Sequence, residues 1–399
     1  MANDTRSPAA LVSIFCAAEV ASMAGFALVP SLLPLLSQQW QLSATQGGWL
    51  SGIFFLGYIL AVPLLVSLTD RIDARRIYLG SAALTAVALA GFAVFADGFV
   101  AALGCWWLAG LGLAGTYMPG LKAMADRLPI AVQSRGAAFY TATFGVGAGL
   151  SYLWSELVRD QLPWQGQFAI AAAAATLAVL LVWQGVGTRP QPVAAHSTPA
   201  PLLWRRVVRD RRILAFCGAY FGHNWELFGF RSWLVAYLAW THLRQPDAWT
   251  ALPGVIAAIA TFLAVPASIL GNEGAHRWGR LRWLQTVMPF SCALALLVAA
   301  SGDLPSAWRV LLLLLYAASM NLDSAALTAG LLTETAPEIR GTALAFYSTI
   351  GFAGGFVGPV AFGMALDGFG RSTLLGWSAG FVTLACGVAF GRWAIGRSA

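Results

Sequence analysis

The chain has 399 residues, of which 58% are hydrophobic and only 10% carry a charge. A soluble domain of this length needs far more charged surface, so the composition excludes an ordinary soluble protein and indicates one embedded in a membrane. The formal net charge of +7 does not indicate a nucleic-acid-binding protein, because no soluble basic domain or aromatic-interleaved groove accompanies it.

Apolar runs of about 20 residues predict helices that cross a membrane. Twelve such runs follow one another along the chain, at roughly 9–36, 46–68, 77–96, 99–124, 136–158, 166–187, 212–240, 249–270, 283–301, 307–333, 341–366 and 372–393. The first run is too long for the hydrophobic region of a signal peptide, and no cleavage site follows it. We therefore expect the amino terminus to stay in the cytoplasm.

Arginine placement tests this topology independently of hydropathy, because cytoplasmic loops carry an excess of basic residues. With twelve spans and both termini inside, the outer loops receive only Arg159, Arg244, Arg309 and Arg371. All other arginines at helix ends then face the cytoplasm, and a shift by one helix would invert this bias. The sequence thus predicts a multi-pass protein of the inner, cytoplasmic membrane.

The longest polar stretch divides the chain in the middle. Residues 188–211 are rich in proline and then strongly basic, and they separate six predicted helices in 1–187 from six in 212–399. The part from Pro201 onward either lies on the membrane surface, with Trp204 in the interface, or is a flexible tether whose charges stop transfer. Both interpretations remain open at this stage.

The two halves repeat each other weakly. Ser134-Arg-Gly opens the fifth predicted helix and Ile339-Arg-Gly opens the eleventh, at an offset of about 205 residues. Each is followed by an aromatic pair and a glycine-rich segment. Parallel six-helix repeats of this kind occur in secondary transporters.

The segment Leu68–Arg76, between the second and third predicted helices, carries the most specific motif. It is similar to the loop signature of the major facilitator superfamily, in which Asp-Arg and a later basic pair are flanked by glycines. The matching residues are Asp70, Arg71, Arg75 and Arg76, whereas Val66 and Asp73 stand where the signature has glycine. A degenerate copy occupies His276–Arg282, at the matching place in the second half.

The chain therefore resembles this superfamily over essentially its whole length. The resemblance implies an all-α membrane fold of twelve transmembrane helices, arranged as two six-helix bundles around a central cavity. It also implies a secondary active transporter that works by alternating access, and not an enzyme.

The same resemblance assigns a cytoplasmic gate to the loop signature. In it, Asp70 would accept hydrogen bonds from the amino-terminal end of the eleventh helix, near Arg340. Arg71 and Arg75 would complete the gate, with Asp126 at the end of the fourth helix as a partner for the arginines. The alternative is that these charges only set the topology.

Six ionisable residues lie deep inside apolar stretches, where each costs at least ~2.5 kcal/mol unless it meets a partner or a water-filled cavity. They are Glu19, Lys122, His223, Glu226, Arg231 and Asp323. These residues fall on the first, fourth, seventh and tenth predicted helices, which line the central cavity in the fold that the chain resembles. Such residues are typical of substrate and ion pathways.

We predict a substrate site around the densest polar group, on the seventh helix. Its members, with polar neighbours from other helices, are His223, Asn224, Glu226, Arg231, Asn321 and Lys122. Interhelical hydrogen bonding is the structural alternative for His223 and Asn224, and Lys122 could instead pair with Asp126. No metal is predicted, because further His or Cys ligands are lacking near His223.

Glu19 and Asp323 have no opposite charge within reach on their own helices, so they must be protonated or paired across the cavity. We predict them as the proton-coupling residues, with Glu226 as a third candidate. The predicted function is proton-coupled transport of a small polar solute, such as an organic anion, by a monomer without a cofactor. Drug or metabolite efflux by proton antiport is the alternative, and a channel or membrane enzyme is the more remote one.

Overall fold

The computed structural model describes residues 6–188 and 200–397. These residues form sixteen α-helices and two short 3-10 helices, with no strand among them. The helices are α1 (Pro8–Ser22), α2 (Leu28–Gln39), α3 (Ala44–Leu68), α4 (Ala74–Phe95), α5 (Phe99–Ala125), α6 (Ile130–Leu157), α7 (Trp164–Gly185), α8 (Ala200–Val207), α9 (Arg211–Arg244), α10 (Pro253–Phe262), α11 (Ala264–Trp278), α12 (Arg280–Ala300), α13 (Ser306–Ser319), α14 (Ser324–Glu334), α15 (Arg340–Phe369) and α16 (Leu374–Gly396).

The predicted all-α membrane fold is confirmed. Ten helical stretches in the described part of the chain are long and apolar enough to cross a membrane. The helices α6 and α9 are also long, with 28 and 34 residues, but their polar residues and glycines lower their hydropathy. Together these stretches are compatible with the twelve predicted spans.

Three of the predicted spans are interrupted helices. The first consists of α1 and α2 with a 3-10 turn at Met23–Gly25 between them, and the others are α10 with α11 and α13 with α14. At the last break the amide of Asn321 donates to the carbonyl of Ala317, at 2.8 Å. A side chain that binds the backbone of its own helix in this way competes with helix continuation. The breaks after Ser22 and Phe262 lie in mainly apolar sequence, so hydropathy alone could not reveal them, whereas the break after Ser319 contains Asn321 and Asp323.

The chain folds into two compact units. One comprises the described residues of Met1–Leu28 and Leu56–His196, and the other those of Val29–Phe55 and Ser197–Ala399. The predicted linker lies partly in 189–199, outside the described residues, so the domain boundaries of the sequence analysis stay a prediction. Its described end forms α8, where Trp204 packs edge-on against Phe346 at 5.9 Å between ring centroids.

In the second unit α9 lies directly against α15. The two backbones approach so closely that a Cβ atom on Gly354 would stand 2.1 Å from the Phe221 carbonyl oxygen, and one on Gly358 would stand 2.2 Å from that of Trp225. Only glycine fits at such a crossing. This contact fixes the position of α9, which carries most of the predicted site.

Candidate functional site

The polar residues of α9 are all buried in the second unit. His223 is 1% exposed, Glu226 is 0% exposed and Arg231 is 9% exposed. The burial that their apolar sequence context predicted is therefore present. Since buried charges and imidazoles are costly without partners, their surroundings decide what they can do.

His223 meets Asp323, which lies at the start of α14. The imidazole Nδ1 and the carboxylate Oδ1 are 2.8 Å apart, and both side chains are almost fully buried. Neither atom makes a hydrogen bond of acceptable geometry with any described residue. The two groups are therefore close enough to form an ion pair, but they are not aligned as hydrogen-bond donor and acceptor. The pair joins α9 to the break between α13 and α14.

An aromatic stack borders this pair. The ring of Tyr220 lies parallel to that of Tyr347, with 4.0 Å between centroids and 4° between planes. On α9 the same ring stacks with His223 at 5.8 Å and 10°. The Tyr347 hydroxyl lies 3.3 Å from Thr328 Oγ1, on α14. The two tyrosine rings thus lie beside the imidazole that faces Asp323.

Glu226 has a separate environment, formed by α12 and α13. Ser291 Oγ donates to Glu226 Oε1 at 2.7 Å, and Ser319 Oγ lies 3.2 Å from Ser291 Oγ. The Tyr316 hydroxyl is close enough to interact with the carboxyl, although the two are not aligned as a hydrogen bond. Three hydroxyl groups thus surround this carboxyl, and its closest polar contact is a serine.

The other predicted residues of this group differ in what they contact. The guanidinium of Arg231 lies 5.9 Å from the centroid of the Phe228 ring, a cation–π distance. The amide nitrogen of Asn224 is buried and close enough to interact with the Tyr220 hydroxyl, although the two are not aligned as a hydrogen bond. Asn321 donates its amide nitrogen to the Ala317 carbonyl at the α13–α14 break described above.

Glu19 lies in the first unit, on α1, and is 0% exposed. The Tyr140 hydroxyl is 3.0 Å from Glu19 Oε2 and 2.8 Å from the carbonyl oxygen of Thr116. A phenol has a single proton, and the Thr116 carbonyl can only accept. Tyr140 can therefore donate fully to only one of these two oxygens at a time, and the Ser22 hydroxyl lies 3.5 Å from the same Glu19 Oε2. The other oxygen, Oε1, makes no hydrogen bond among the described residues.

Lys122 follows the structural alternative of the sequence analysis. Its Nζ is 2.9 Å from Oδ2 of Asp126, one turn further along α5, and the two side chains are 34% and 35% exposed. Asp126 is thus engaged by Lys122, within its own helix. Neither residue is buried in the way that Glu19 is.

The residues of the predicted gate fall into two groups. Asp70, Arg71 and Arg340 are exposed, and the Nε of Arg340 donates to the nearby Thr335 carbonyl at 3.1 Å. Arg75 is only 7% exposed and donates to the carbonyl of Trp183, at 2.7 Å. Arg75 thus ties α4 to α7 inside the first unit.

Sequence reasoning missed a buried ion pair next to this motif. Asp73, which was interpreted only as a departure from the glycine signature, accepts from Arg127 Nη2 with both oxygens, at 2.9 and 2.7 Å. It also caps α4 by accepting from the Arg75 amide at 3.0 Å. An Asp directly before a helix is a typical N-cap signal, and that signal could have identified it.

The described residues contain no group of three or more His, Cys, Asp or Glu side chains that could hold a metal ion. The five cysteines are free thiols. The contacts that the ionisable residues of the site do make, described above, are with hydroxyl groups, aromatic rings and each other.

A family model described as Major Facilitator Superfamily matches residues 14–359. The fold is similar to that of a bacterial homologue of the human lysosomal transporter Spinster, crystallised in an inward-facing and unoccupied conformation. The TM-score is 0.78 with 14% sequence identity, over 98% of this chain and 96% of that one.

Two curated relatives are similar in sequence. A putative tartrate transporter of Agrobacterium vitis is 25% identical over 376 residues, which cover 85% of this chain and 79% of the relative. The niacin transporter NiaP of Acinetobacter baylyi is 23% identical over 155 residues. That match spans 39% of this chain and about a third (35%) of the relative's length.

Proposed function

Because this chain belongs to the major facilitator superfamily, we propose that it is a secondary transporter that moves a small polar solute by alternating access and couples this movement to protons. Membership of this family supports a membrane transporter rather than an enzyme. Its proposed location is the inner membrane, with both termini in the cytoplasm.

The observation that carries this proposal is the buried contact between His223 and Asp323, at 2.8 Å. Two ionisable groups inside an apolar bundle are expensive, and they are typical of ion and substrate pathways in membrane proteins. The pair lies where α13 ends and α14 begins, and broken helices are frequent at transporter sites.

We assign the solute to the class of small organic acids. Tartrate and niacin, named in the two curated relatives, are both small carboxylic acids. In this chain Arg231 supplies a permanent positive charge on the same helix as His223, and a guanidinium can bind a carboxylate with two parallel hydrogen bonds. Asn224, whose buried amide nitrogen makes no aligned hydrogen bond in the described structure, is the second proposed contact.

Protons would be carried by the buried carboxyl groups. Glu19 is fully buried with the Tyr140 hydroxyl 3.0 Å from its carboxyl, and Asp323 lies 2.8 Å from the imidazole of His223. Glu226, surrounded by hydroxyls, remains the third candidate. Water that enters as the pathway opens to one side stabilises a charged carboxylate, so a group can bind and release one proton per cycle.

The cytoplasmic gate is proposed to involve Asp70, Arg71 and Arg340, which are exposed and free to rearrange without disturbing a core. Arg75 and Asp126 have partners within the first unit. Their contribution to a gate would be to hold the ends of α4 and α5 in position.

The test begins with a thermal-shift screen of tartrate, niacin and other small organic acids on the purified protein, because a ligand that binds the folded state raises its melting temperature. A compound that binds is then assayed in proteoliposomes, by counterflow and by uptake driven only by a pH gradient. Asp323→Asn should abolish uphill uptake and leave counterflow running.

The matched control is Asp303→Asn, which removes a carboxylate from an exposed loop of the same unit and should behave as wild type. Retention of proton-driven accumulation by Asp323→Asn would contradict the role of this residue in coupling. Absence of counterflow for every acid in the panel would contradict the proposed solute class.

A further inference from the structure

A carboxylate joins two helices of the second unit that are far apart in sequence. Asp367, near the end of α15, accepts from the Ala44 amide at 2.9 Å and from the Thr45 amide at 2.8 Å. It also accepts from the Thr45 hydroxyl at 2.7 Å. The first turn of α3 is thus bound by a side chain more than 300 residues away.

The helix does not need Asp367 in order to begin. Ser43 and Gln46 already form a reciprocal capping box, in which the Ser43 amide donates to Gln46 Oε1 at 2.8 Å and the Gln46 amide donates to Ser43 Oγ at 3.1 Å. Asp367 accepts hydrogen bonds from the Ala44 and Thr45 amides, which the capping box does not pair. Its bonds therefore connect α3 to α15 and are not required for a local helix start.

A second polar contact lies beside the first. Arg371 Nη1 donates to the carbonyl of Leu42 at 2.7 Å, and its Nε is 3.7 Å from Asp367 Oδ1. The α3 end of the short connection between α2 and α3 is thereby held by Asp367, near the end of α15, and by Arg371, just beyond it. The Asp367 and Arg371 side chains remain 29% and 58% exposed, so water can replace these bonds.

One turn further along α3, the backbones of α3 and α15 are in direct contact. A Cβ atom on Gly48 would stand 2.4 Å from the Pro359 carbonyl oxygen, a distance that real Cβ atoms do not adopt. The junction is thus packed tightly along α3, where Trp49 also meets Phe356 edge-on at 5.0 Å between ring centroids, and its hydrogen bonds lie at its exposed end.

We propose that Asp367 is a reversible latch, which closes the transport pathway at the end of the second unit where α3 begins and α15 ends. In the predicted topology this end faces away from the cytoplasm. The proposal rests on alternating access in the proposed function, because a transporter must open this junction once per cycle. The polar part of this closure consists of hydrogen bonds that water can replace, so substrate or proton binding can supply the cost of breaking them.

Hydrogen exchange tests whether the bonds form. The Ala44 and Thr45 amides have Asp367 as their recorded acceptor, so Asp367→Asn should raise exchange in a peptide that spans residues 42–50. The expected increase is roughly 2- to 30-fold, the range for loss of a helix cap. Asp303→Asn is the matched control and should leave exchange in this peptide unchanged.

Cysteine labelling tests whether the bonds hold the junction closed. Ser37 lines a cavity of ≈ 200 Å³ beside the latch, which Trp233, Trp240 and Trp377 also line. A Ser37→Cys probe, in a background without the native cysteines, should react with a maleimide several-fold faster when Asp367→Asn is added. Gly48→Ala, which prevents close approach without touching the polar bonds, should accelerate labelling as well.

The outcomes separate the latch from a local helix cap. Faster labelling in both variants supports the latch, whereas faster exchange with unchanged labelling in both overturns it. If Asp367→Asn does not fold, Thr45→Val removes only the hydroxyl bond and should give a smaller change in the same direction. Neither readout needs a substrate, so failure to find a transported solute would contradict the proposed function and leave the latch intact.

Discussion

The Asp73–Arg127 pair allows a quantitative test, because a similar acid lies three residues away. Asp73→Asn keeps one side-chain oxygen, which can still cap α4 by accepting from the Arg75 amide. It removes the negative charge that faces Arg127, whose side chain is 4% exposed. The substitution therefore isolates the ion pair from the helix cap.

The expected loss follows from the burial. Removing one partner of a buried ion pair typically costs about 3–5 kcal/mol, because the other charge is left uncompensated. Arg127 also donates to the carbonyls of Ala123 and Gly187, which keep part of its hydrogen bonding. We therefore expect the lower end of this range, about 3 kcal/mol, with roughly 1 kcal/mol more for Asp73→Ala, which also loses the cap.

The assay is equilibrium unfolding in mixed micelles, with Asp70→Asn as the control. Asp70 is exposed, so its substitution should change the free energy of unfolding by no more than about 0.5 kcal/mol. Adding Arg127→Met to Asp73→Asn should recover much of the loss, since no buried charge then remains. Equal stability of Asp73→Asn and Asp70→Asn would refute the reasoning.

Three further outcomes are expected. Tyr140→Phe removes the group that links Glu19 to Thr116, so proton-driven accumulation should slow while counterflow continues; equal effects on both assays would point to a packing defect. Arg231→Lys keeps the charge but loses the planar fork, so the affinity for an organic acid in a thermal-shift titration should fall about tenfold or more; unchanged affinity would exclude Arg231 as the carboxylate contact. Ser291→Ala leaves the Glu226 carboxyl without its hydrogen-bond donor and should lower the free energy of unfolding by about 1–3 kcal/mol; a neutral result would show that water replaces the serine.

Burial of the ionisable residues was predictable, because it depends on local hydropathy. Glu19, His223, Glu226 and Asp323 stand in apolar runs, and each is at most 3% exposed. Their partners were not predictable, since the contact between His223 and Asp323 joins residues 100 positions apart and depends on how α9 packs in the second unit. Partners within one helical turn can be predicted from sequence spacing, as for Lys122 and Asp126.

The motif between the second and third predicted spans shows a further limit. Comparison with the superfamily signature directed attention to Asp70 and the arginines, so Asp73 was treated as a missing glycine. Its actual contacts combine a helix cap with a bond to Arg127, and only the cap has a local sequence signal. The bond to Arg127 requires the packing of α4 against α5.

The position of Val29–Phe55 in the second unit has a consequence for dividing the molecule. If the two sequence halves were made as separate polypeptides, the half that begins at residue 200 would lack the segment that packs on α15 at Gly48 and meets Asp367. This half should not fold stably alone, and it should recover when the other half is co-expressed. A cut within the connection between α7 and α8 should thus give fragments that complement each other, but not two independent proteins.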